Sequence, residues 1–363
     1  MPEAIEPSEH EQRRSKLRQT LRLYRADAWA VTALSNVRYL TSFTGSNAVL
    51  LLSADRTILF TDPRYQTQAA QECDCDVKIV KGPLLIEVSR WVQRLRVKVL
   101  AFEQNRIGYD DYVHLKELGI GVRLKAVGGA IESLRLIKSP AEIATIQASV
   151  QLNSAALEQA LRHFKPSLTE VDLAAEIDYR MRRLGADSSA FETIVASGER
   201  SALPHARPTD HPIRPDELLL IDMGANVAGY ASDMTRTFAV RKLDPKKRRM
   251  HRAVLESQLA AIHAVKPGVT CAHVDGTARR VLRGFGMEKL FVHSTGHGLG
   301  LEIHERPRIG RKEATRLEAG MVITIEPGVY QEGLGGVRIE DTVVVTPTGC
   351  QILTPTAKEL FFL

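Results

Sequence analysis

Short apolar runs alternate with helical patterns of apolar and polar residues over residues 1–130. Runs of four to eight apolar residues are typical of strands, and longer stretches with helical spacing are typical of helices. We predict strands at residues 28–34, 48–52, 57–61, 77–80 and 97–102, and helices at 9–25, 62–72, 84–95 and 110–118. Residues 53–56 suit a hairpin link between the second and third strands. The alternation predicts an α/β domain with one mixed sheet.

Residues 131–363 show a different order, in which long helices are followed by strand-like runs. After a predicted linker at 124–138, Ser139 and Glu142 suit a capping box, so we expect a helix to about residue 164. Thr169 and Gly185 bound a second predicted helix, at 170–184. The stretch KPSLTEVD, from Lys165, is echoed by KPGVTCAHVD, from residue 266. The second domain is therefore predicted to be α+β, with two pseudo-symmetric halves that each hold a helix pair and a hairpin.

The first half ends in LLLIDMGANVAGYASDMTRTF, which carries two acids in strand-like runs. Residues 226–229 have turn chemistry, because Asn and Gly tolerate positive φ. A hairpin that closes there places Ala225 opposite Tyr230 and, counting outward, Asp222 opposite Asp233. Like charges on facing residues destabilise a sheet. A cation bound between the two carboxylates would replace their repulsion with attraction.

The second half repeats this geometry. VITIEPGVY carries Glu326, QEGLGG is a glycine-rich loop, and VRIEDTVVV carries Glu340. Folding about Gly333 places Glu326 opposite Glu340. A single acid in a strand is more often part of a solvated face, but two facing pairs in apolar runs favour a binding site.

Three histidines lie between the two hairpins, in FVHSTGHGLGLEIHE. A lone histidine is more often structural, but this run is rich in glycine, which lets backbone approach a ligand closely. We assign His297 to a metal, and His293 and His304 to the substrate.

Four carboxylates and one imidazole form an oxygen-rich ligand set, which favours Mn²⁺, with Co²⁺, Fe²⁺ and Zn²⁺ as alternatives. One ion would leave the site overcharged, whereas two divalent ions roughly 3.5 Å apart would balance the acids. Such a site generates hydroxide near neutral pH and polarises a carbonyl, so the implied reaction class is hydrolysis.

Composition changes this picture little. The chain has 363 residues, of which 44% are hydrophobic and 25% charged, as in ordinary globular proteins. The net charge of +6 raises the question of nucleic-acid binding. The densest basic run, KKRR from Lys246, follows Asp244 and Pro245, which are typical of a helix start. We therefore expect a solvated helix face and no specific nucleic-acid binding.

Cellular location is predicted from two features of the chain. The polar N-terminus MPEAIEPSEHEQRR lacks the apolar core of a signal peptide, and no apolar run reaches the roughly 18–20 residues of a membrane helix. We expect a cytoplasmic protein that does not bind membranes. The four cysteines show no CxxC spacing and are expected to be free thiols.

The chain resembles the pita-bread metallopeptidases, which include Xaa-Pro aminopeptidases, prolidases, methionine aminopeptidases and creatinases. The stretches that carry the resemblance are FETIVASGERSALPHARP, LLLIDMGANVAGYASDMTRTF, HSTGHGLGLEIHE, ITIEPGVY and GVRIEDTVVVT. SNVRYLTSFTGSNAVLLL and ILFTDPRY are similar to the creatinase-type N-terminal domain of the Xaa-Pro group. The resemblance implies a creatinase-like domain at residues 1–130 and a pita-bread catalytic domain at 131–363.

The resemblance also implies roles residue by residue. The implied metal ligands are Asp222, Asp233, His297, Glu326 and Glu340. Asp222 and Glu340 would bridge both ions, and Glu326 would also take a proton from the bridging water. No ligand position is substituted in this chain.

Substrate-side groups are implied in the same way. His205, in SALPH, matches a substrate-binding histidine, and His293 and His304 would contact the scissile amide or stabilise the tetrahedral intermediate. Arg338 shares a strand face with Glu340, so it is expected to orient that acid or a substrate carboxylate.

The activity implied is that of a manganese-type Xaa-Pro aminopeptidase that acts on proline-containing peptides and forms a homodimer through its N-terminal domain. An Xaa-Pro dipeptidase on the same site is the alternative, and Arg308 matches a substrate-side arginine of some prolidases. Creatinases use the fold without metal, and methionine aminopeptidases usually lack this N-terminal domain. A non-catalytic peptide-binding module would show degraded ligand positions.

Overall fold

The computed structural model describes residues 8–118, 121–165 and 168–363. The chain divides into two compact units, one ending at Arg135 and the other beginning at Leu136. The domain boundary expected between residues 130 and 131 stays a prediction. Within the described ranges, no helix is long and apolar enough to cross a membrane.

The first unit contains one six-stranded sheet with helices around it. Its helices are α1 (Glu9–Tyr24), α2 (Leu34–Thr41), α3 (Gln66–Glu72), α4 (Leu84–Arg94), α5 (Tyr109–Leu118) and α6 (Ala130–Arg135). Its strands are β1 (Ala28–Val31), β2 (Ala48–Ser53), β3 (Thr57–Thr61), β4 (Asp76–Ile79), β5 (Val99–Glu103) and β6 (Arg123–Val127). The strand order is β4-β3-β2-β1-β5-β6. Strand β2 is antiparallel to β1 and β3, whereas the remaining pairs are parallel, which confirms the predicted mixed sheet.

Two segments of the first unit differ from the prediction. The strand predicted at 28–34 ends at Val31, and α2 begins at Leu34. The predicted linker at 124–138 instead holds most of β6 and all of α6. Both helices are too short for a clear apolar period, and α2 is held by tertiary contacts such as that of Asn36 Nδ2 with Glu103 Oε1, at 2.6 Å.

The second unit is built from two helix pairs and several small sheets. Its helices are α7 (Pro140–Arg162), α8 (Glu170–Arg183), α9 (Pro245–Ala264) and α10 (Cys271–Gly284). Its first strands are β7 (Ser188–Ser189), β8 (Ile194–Ser197), β9 (Leu218–Met223), β10 (Ala225–Val227), β11 (Tyr230–Ala231) and β12 (Met234–Ala239). The later strands are β13 (Gly296–Gly298), β14 (Glu305–Ile309), β15 (Val322–Ile325), β16 (Gly328–Gln331), β17 (Gly335–Arg338), β18 (Asp341–Val345) and β19 (Cys350–Ile352). The sheets are β11-β10-β7, β12-β9-β8, β14-β13-β15-β18-β19 and β16-β17.

The helix starts follow the capping signals in the sequence. Ser139 and Glu142 form the predicted capping box of α7, and Thr169 caps α8. Asp244 caps α9, so the basic run from Lys246 lies in the first turns of a helix, as predicted. Each helix pair precedes an acid-bearing hairpin, which confirms the expected repeat of elements. Residues 166–167, within the first repeated stretch, lie outside the described residues.

Each helix pair packs on one face of a hairpin. In the first half, Leu219 and Ile221 of β9 belong to the core formed with α7 and α8. In the second half, Ile323 and Ile325 of β15 belong to the core formed with α9 and α10. Because strand side chains alternate between faces, the even-numbered residues of β9 and β15 lie on the opposite face. That face carries the acids.

Candidate metal centre

Asp222 and Asp233 do not face each other across the first hairpin. The β9–β12 ladder pairs Asp222 with Thr235, and the same register continued toward the turn places Asp233 opposite Gly224. The predicted facing pair is therefore wrong. The slip is two residues, because Asp222 pairs with Thr235 rather than Asp233, and side chains alternate with a period of two. Both acids thus remain on one face, as diagonal neighbours.

The turn explains this slip. The prediction assigned residues 226–229 to the loop, but the hairpin closes through Ala228 and Gly229, so Val227 pairs with Tyr230. The φ angles of Ala228 and Gly229 are 47° and 78°. Positive φ at both central positions is typical of a tight two-residue hairpin turn. Alanine rarely adopts positive φ, so the sequence does not signal this turn.

Glu326 and Glu340 do face each other in the second hairpin. The β15–β18 and β16–β17 ladders share one register. The pairs on either side are Ile325 with Asp341 and Gly328 with Arg338. Between them Glu326 lies opposite Glu340, which confirms the predicted pair. The loop turns about Gly333, whose φ is 73°.

His297 of β13 joins the two acid pairs. Its Nε2 lies 3.6 Å from Oδ2 of Asp233 and 3.4 Å from Oε1 of Glu326. Its Nδ1 lies 3.0 Å from the carbonyl oxygen of Gly298, which can only accept, so Nδ1 carries the hydrogen. Burial lowers the pKa of His297. The neutral ring therefore turns the lone pair of Nε2 toward the acids, the orientation that metal-bound histidines adopt.

Two of the acids in this cluster each have one oxygen with a hydrogen-bond donor in the described part of the chain and one without. Oδ1 of Asp222 and Oε1 of Glu340 are buried without a hydrogen-bond partner among the described residues. Burial raises the pKa of Asp233 and of Glu340 well above the usual range, and repulsion from neighbouring acids adds to the effect. Burial also raises the pKa of Glu326 to about 7.

Such a cluster fits a divalent cation. One ligand atom from each of Asp233, His297 and Glu340 lies within 4.8 Å of the other two. Uncompensated carboxylate oxygens around a single imidazole form the oxygen-rich set that hard and borderline divalent ions prefer. Positive charge at this point would relieve the repulsion that raises the pKa values of the acids.

Arg338 contacts Asp222 rather than Glu340. Its Nη2 donates to Oδ2 of Asp222 at 2.6 Å, and its Nε donates to the hydroxyl of Thr235 at 3.0 Å. Its Nη1 donates to the hydroxyl of Tyr330 at 2.7 Å. Arg338 therefore orients an acid of the other hairpin, a partner that the shared strand face did not indicate.

His293 is connected to this arginine through Tyr330. Nδ1 of His293 lies 2.8 Å from the carbonyl oxygen of Ser294, so Nδ1 donates. Nε2 lies 2.9 Å from the hydroxyl of Tyr330, which donates to it while accepting from Arg338. Burial lowers the pKa of His293 to about 4, so the ring is neutral near pH 7. Sequence reasoning missed Tyr330, although its position four residues after Glu326 places it on the same strand face.

His304 and His205 lie at the edge of the cluster. The ring of His304 lies 4.4 Å from that of His297, at an interplanar angle of 76°. Partial burial lowers the pKa of His304, and His297 adds to the effect. His205 is exposed and lies near His293, His304 and Glu326. The neighbouring carbonyl of Pro204 accepts from Arg338 at 3.1 Å. Both histidines therefore lie beside the metal-ligand candidates.

Arg308 also lies beside the cluster. It is exposed on β14 and pairs directly with His297 of β13. Directly opposed residues of an antiparallel pair share one face of the sheet. The side chain of Arg308 therefore leaves the sheet on the same face as His297, one of the metal-ligand candidates.

Comparison with known proteins gives matches along almost the whole chain. The model of metallopeptidase family M24 matches residues 144–347, and that of the creatinase/prolidase N-terminal domain matches residues 13–137. The chain is 37% identical to an Xaa-Pro dipeptidase of Pyrococcus furiosus over 327 residues, which are 90% of this chain and 92% of that protein.

Solved structures give the same result. An Xaa-Pro dipeptidase from Bacillus anthracis superposes with a TM-score of 0.95 at 37% identity and covers 98% of this chain and 100% of its own. An X-Pro aminopeptidase from Thermotoga maritima superposes with a TM-score of 0.89 at 34% identity, covering 95% and 100%. The likeness therefore extends over both units.

Proposed function

The chain belongs to metallopeptidase family M24, with a creatinase-type N-terminal domain and a pita-bread second domain, and from that premise we propose that it hydrolyses Xaa-Pro bonds in peptides. The observation that carries the proposal is the cluster of largely buried acids around His297, in which Asp222 and Glu340 each have one oxygen without a donor in the described part of the chain. Burying carboxylate oxygens without donors is costly unless a cation compensates them, so this arrangement supports the metal centre that the proposed hydrolysis requires.

We assign five side chains to the metal. They are Asp222, Asp233, His297, Glu326 and Glu340. We propose two divalent ions, because two positive ions balance four carboxylates, and we favour Mn²⁺ over Co²⁺, Fe²⁺ and Zn²⁺ because four of the five ligands offer oxygen. When bound, two such ions supply a nucleophilic water near neutral pH and polarise the scissile carbonyl.

The remaining steps fall to the side chains of the chain itself. The carboxylate of Glu326 takes a proton from the attacking water as general base, and the acid so formed returns that proton to the proline nitrogen as it leaves. His304 and His205 donate to the developing oxyanion and position the peptide. Both ring nitrogens of His293 are already engaged by Ser294 and Tyr330. We therefore narrow its role from direct contact with the amide to support of the Tyr330 hydroxyl.

Substrate length separates the two candidate activities. The resemblance in the sequence implies an aminopeptidase, and the Thermotoga neighbour carries that name. Arg308 favours a dipeptidase, because a cation on the face of His297 can pair with the free carboxylate that a dipeptide places one residue beyond the scissile bond. The names of the Pyrococcus and Bacillus relatives agree. We propose the Xaa-Pro dipeptidase as the better supported activity, with the aminopeptidase as the second candidate.

A substrate panel tests both the proposed Xaa-Pro peptidase activity and the preferred substrate length. Ala-Pro, Gly-Pro-Ala and Met-Ala-Ala should be compared with the metal-loaded wild type and the Arg308→Met variant. We expect Ala-Pro to be cut fastest and Met-Ala-Ala to be cut poorly, with KM for Ala-Pro raised in Arg308→Met. Arg311→Met, another exposed arginine, serves as the control. If the wild type prefers Gly-Pro-Ala and Arg308→Met has the same preference, the result would favour the aminopeptidase. If no peptide is hydrolysed, the proposed peptidase activity would be refuted.

We also propose that the protein is a homodimer, as the resemblance implies. Light scattering on the purified full chain would measure its mass directly.

A further inference from the structure

A buried ion pair lies on α10, away from the metal-ligand candidates. Nε of Arg279 donates to Oδ2 of Asp275 at 2.8 Å, and Nη2 donates to Oδ1 at 3.2 Å. Only 6% of the arginine side chain and none of the aspartate side chain is exposed. Removing two charges from water costs several kcal/mol, which their attraction repays only in good geometry. A gain in stability from burial therefore does not explain why this ion pair is present.

Beyond their contacts with each other, the polar atoms of both side chains also contact the segment from Phe291 to Thr295. Nη1 of Arg279 donates to the carbonyl of Phe291 at 3.0 Å, and Nη2 also donates to the carbonyl of His293. The hydroxyl of Thr295 donates to Oδ1 of Asp275 at 2.8 Å. The guanidinium carbon of Arg279 lies 4.1 Å from the ring centroid of Phe291. The pair thus holds this segment at both ends and at its centre.

This segment carries two connections into the proposed active site. The ring of His293 meets the hydroxyl of Tyr330, which Arg338 also contacts. The carbonyl of Thr295 accepts from the backbone N–H of Glu326 at 2.7 Å. A change in the path of the segment would therefore turn the imidazole of His293 and shift the strand end that bears Glu326.

We propose that Asp275 and Arg279 are positioning residues for the reaction, which set the ring orientation of His293 from α10. The role in catalysis rests on the proposed peptidase function, whereas the orientation of His293 does not. Arg279 acts through its planar fork, because it must bind one carboxylate and two carbonyls at once. A lysine at this position would keep the charge but could not make these contacts together.

The test combines kinetics with a direct view of the imidazole. Arg279→Lys, Arg279→Met and Asp275→Asn should each be measured for kcat, KM, bound metal and thermal stability. We expect kcat to fall by about 10²-fold, as for a misplaced group, with KM and bound metal little changed. The matched control is Arg283→Met on the same helix, because the side chain of Arg283 is 67% exposed and pairs with Glu288.

Long-range ¹H–¹⁵N spectra of the metal-free protein, labelled at its 11 histidines, supply the second measurement. The signal assigned to His293 by comparison with His293→Gln should show the Nδ1–H tautomer in the wild type. We expect a mixture of tautomers in the three variants and the wild-type pattern in Arg283→Met. Where Arg279→Met does not fold, Arg279→Lys and Asp275→Asn decide the question.

Two results would overturn the proposal: wild-type kcat in Arg279→Lys, or an unchanged His293 tautomer in all folded variants. Failure of the wild type to hydrolyse any Xaa-Pro peptide would refute the proposed function instead. The spectra would then still decide whether this ion pair orients His293.

Discussion

Nη2 of Arg338 lies 2.6 Å from Oδ2 of Asp222, and only 3% and 13% of the two side chains are exposed. The same guanidinium donates to the hydroxyls of Thr235 and Tyr330. With one oxygen of Asp222 held in this way, the other oxygen, Oδ1, is buried and has no hydrogen-bond partner within residues 8–118, 121–165 and 168–363. Arg338 thus fixes how Asp222 presents a ligand atom to the cluster.

The Arg338→Met variant should be strongly destabilised. Loss of the arginine leaves Asp222 as a buried charge without its partner, which costs about 3–5 kcal/mol. Urea unfolding of the metal-free protein at neutral pH would measure this loss. Arg64→Met is the control, because its ion pair with Asp62 is at the surface, and it should leave the free energy of unfolding nearly unchanged. Equal stability of Arg338→Met and wild type would contradict this reading of the contact.

The metal-free protein should lose stability as the pH rises, in part because of Glu326. Burial raises the pKa of Glu326 from 4.5 to about 7, so the folded state binds more protons than the unfolded state between these values. This contribution to stability is fully present below pH 4.5 and is lost as the pH rises through about 7. Glu326→Gln should lack it.

The measurement is the free energy of unfolding of both proteins across that pH window. The buried His251 and His293, with pKa values of about 4, have the opposite effect on stability. Subtracting the variant from the wild type cancels their contributions. A difference that does not change with pH would refute the assignment of a raised pKa to Glu326.

The two hairpins show how far the sequence determines this site. The Glu326–Glu340 register follows from a glycine-rich loop centred on Gly333, where the turn chemistry is explicit. The first hairpin turns through Ala228 at positive φ, which no pattern indicates, so the predicted register slipped. The sheet face predicted for each acid was nevertheless correct, because a register shift of two residues leaves every side chain on the same face.

Contacts between distant segments could not be predicted from the sequence. Arg338 and Asp222 are 116 residues apart, and no local periodicity reports that their side chains meet. The ion pair of Asp275 and Arg279 was missed for another reason. Its spacing of four residues on a helix is common on exposed surfaces, and only the packing of α10 shows that both charges are buried.

Asp233→Ala should lose at least one divalent ion. Asp233 is buried, and its carboxylate lies beside Nε2 of His297, so its removal takes a ligand from the centre of the cluster. Elemental analysis after dialysis would count the ions, and Asp111→Ala, an exposed acid of α5, serves as the control. Chelation of the wild type should likewise abolish peptidase activity, and Mn²⁺ or Co²⁺ should restore it. Full activity in a preparation shown to be metal-free would refute the metal centre.

His304→Ala and His205→Ala should lower kcat while the metal content stays that of the wild type. The nitrogen of an Xaa-Pro bond carries no hydrogen. Like any amide nitrogen it must gain a proton after attack before it can leave, and meanwhile the oxyanion needs donors. Removing one such donor typically lowers the rate by about 10²–10³-fold. Turnover of Ala-Pro with elemental analysis would measure both effects, and His114→Ala, an exposed histidine of α5, should leave both unchanged. A His304→Ala variant with normal kcat, or equal cleavage of Ala-Ala and Ala-Pro, would show that these histidines do not serve proline-specific hydrolysis.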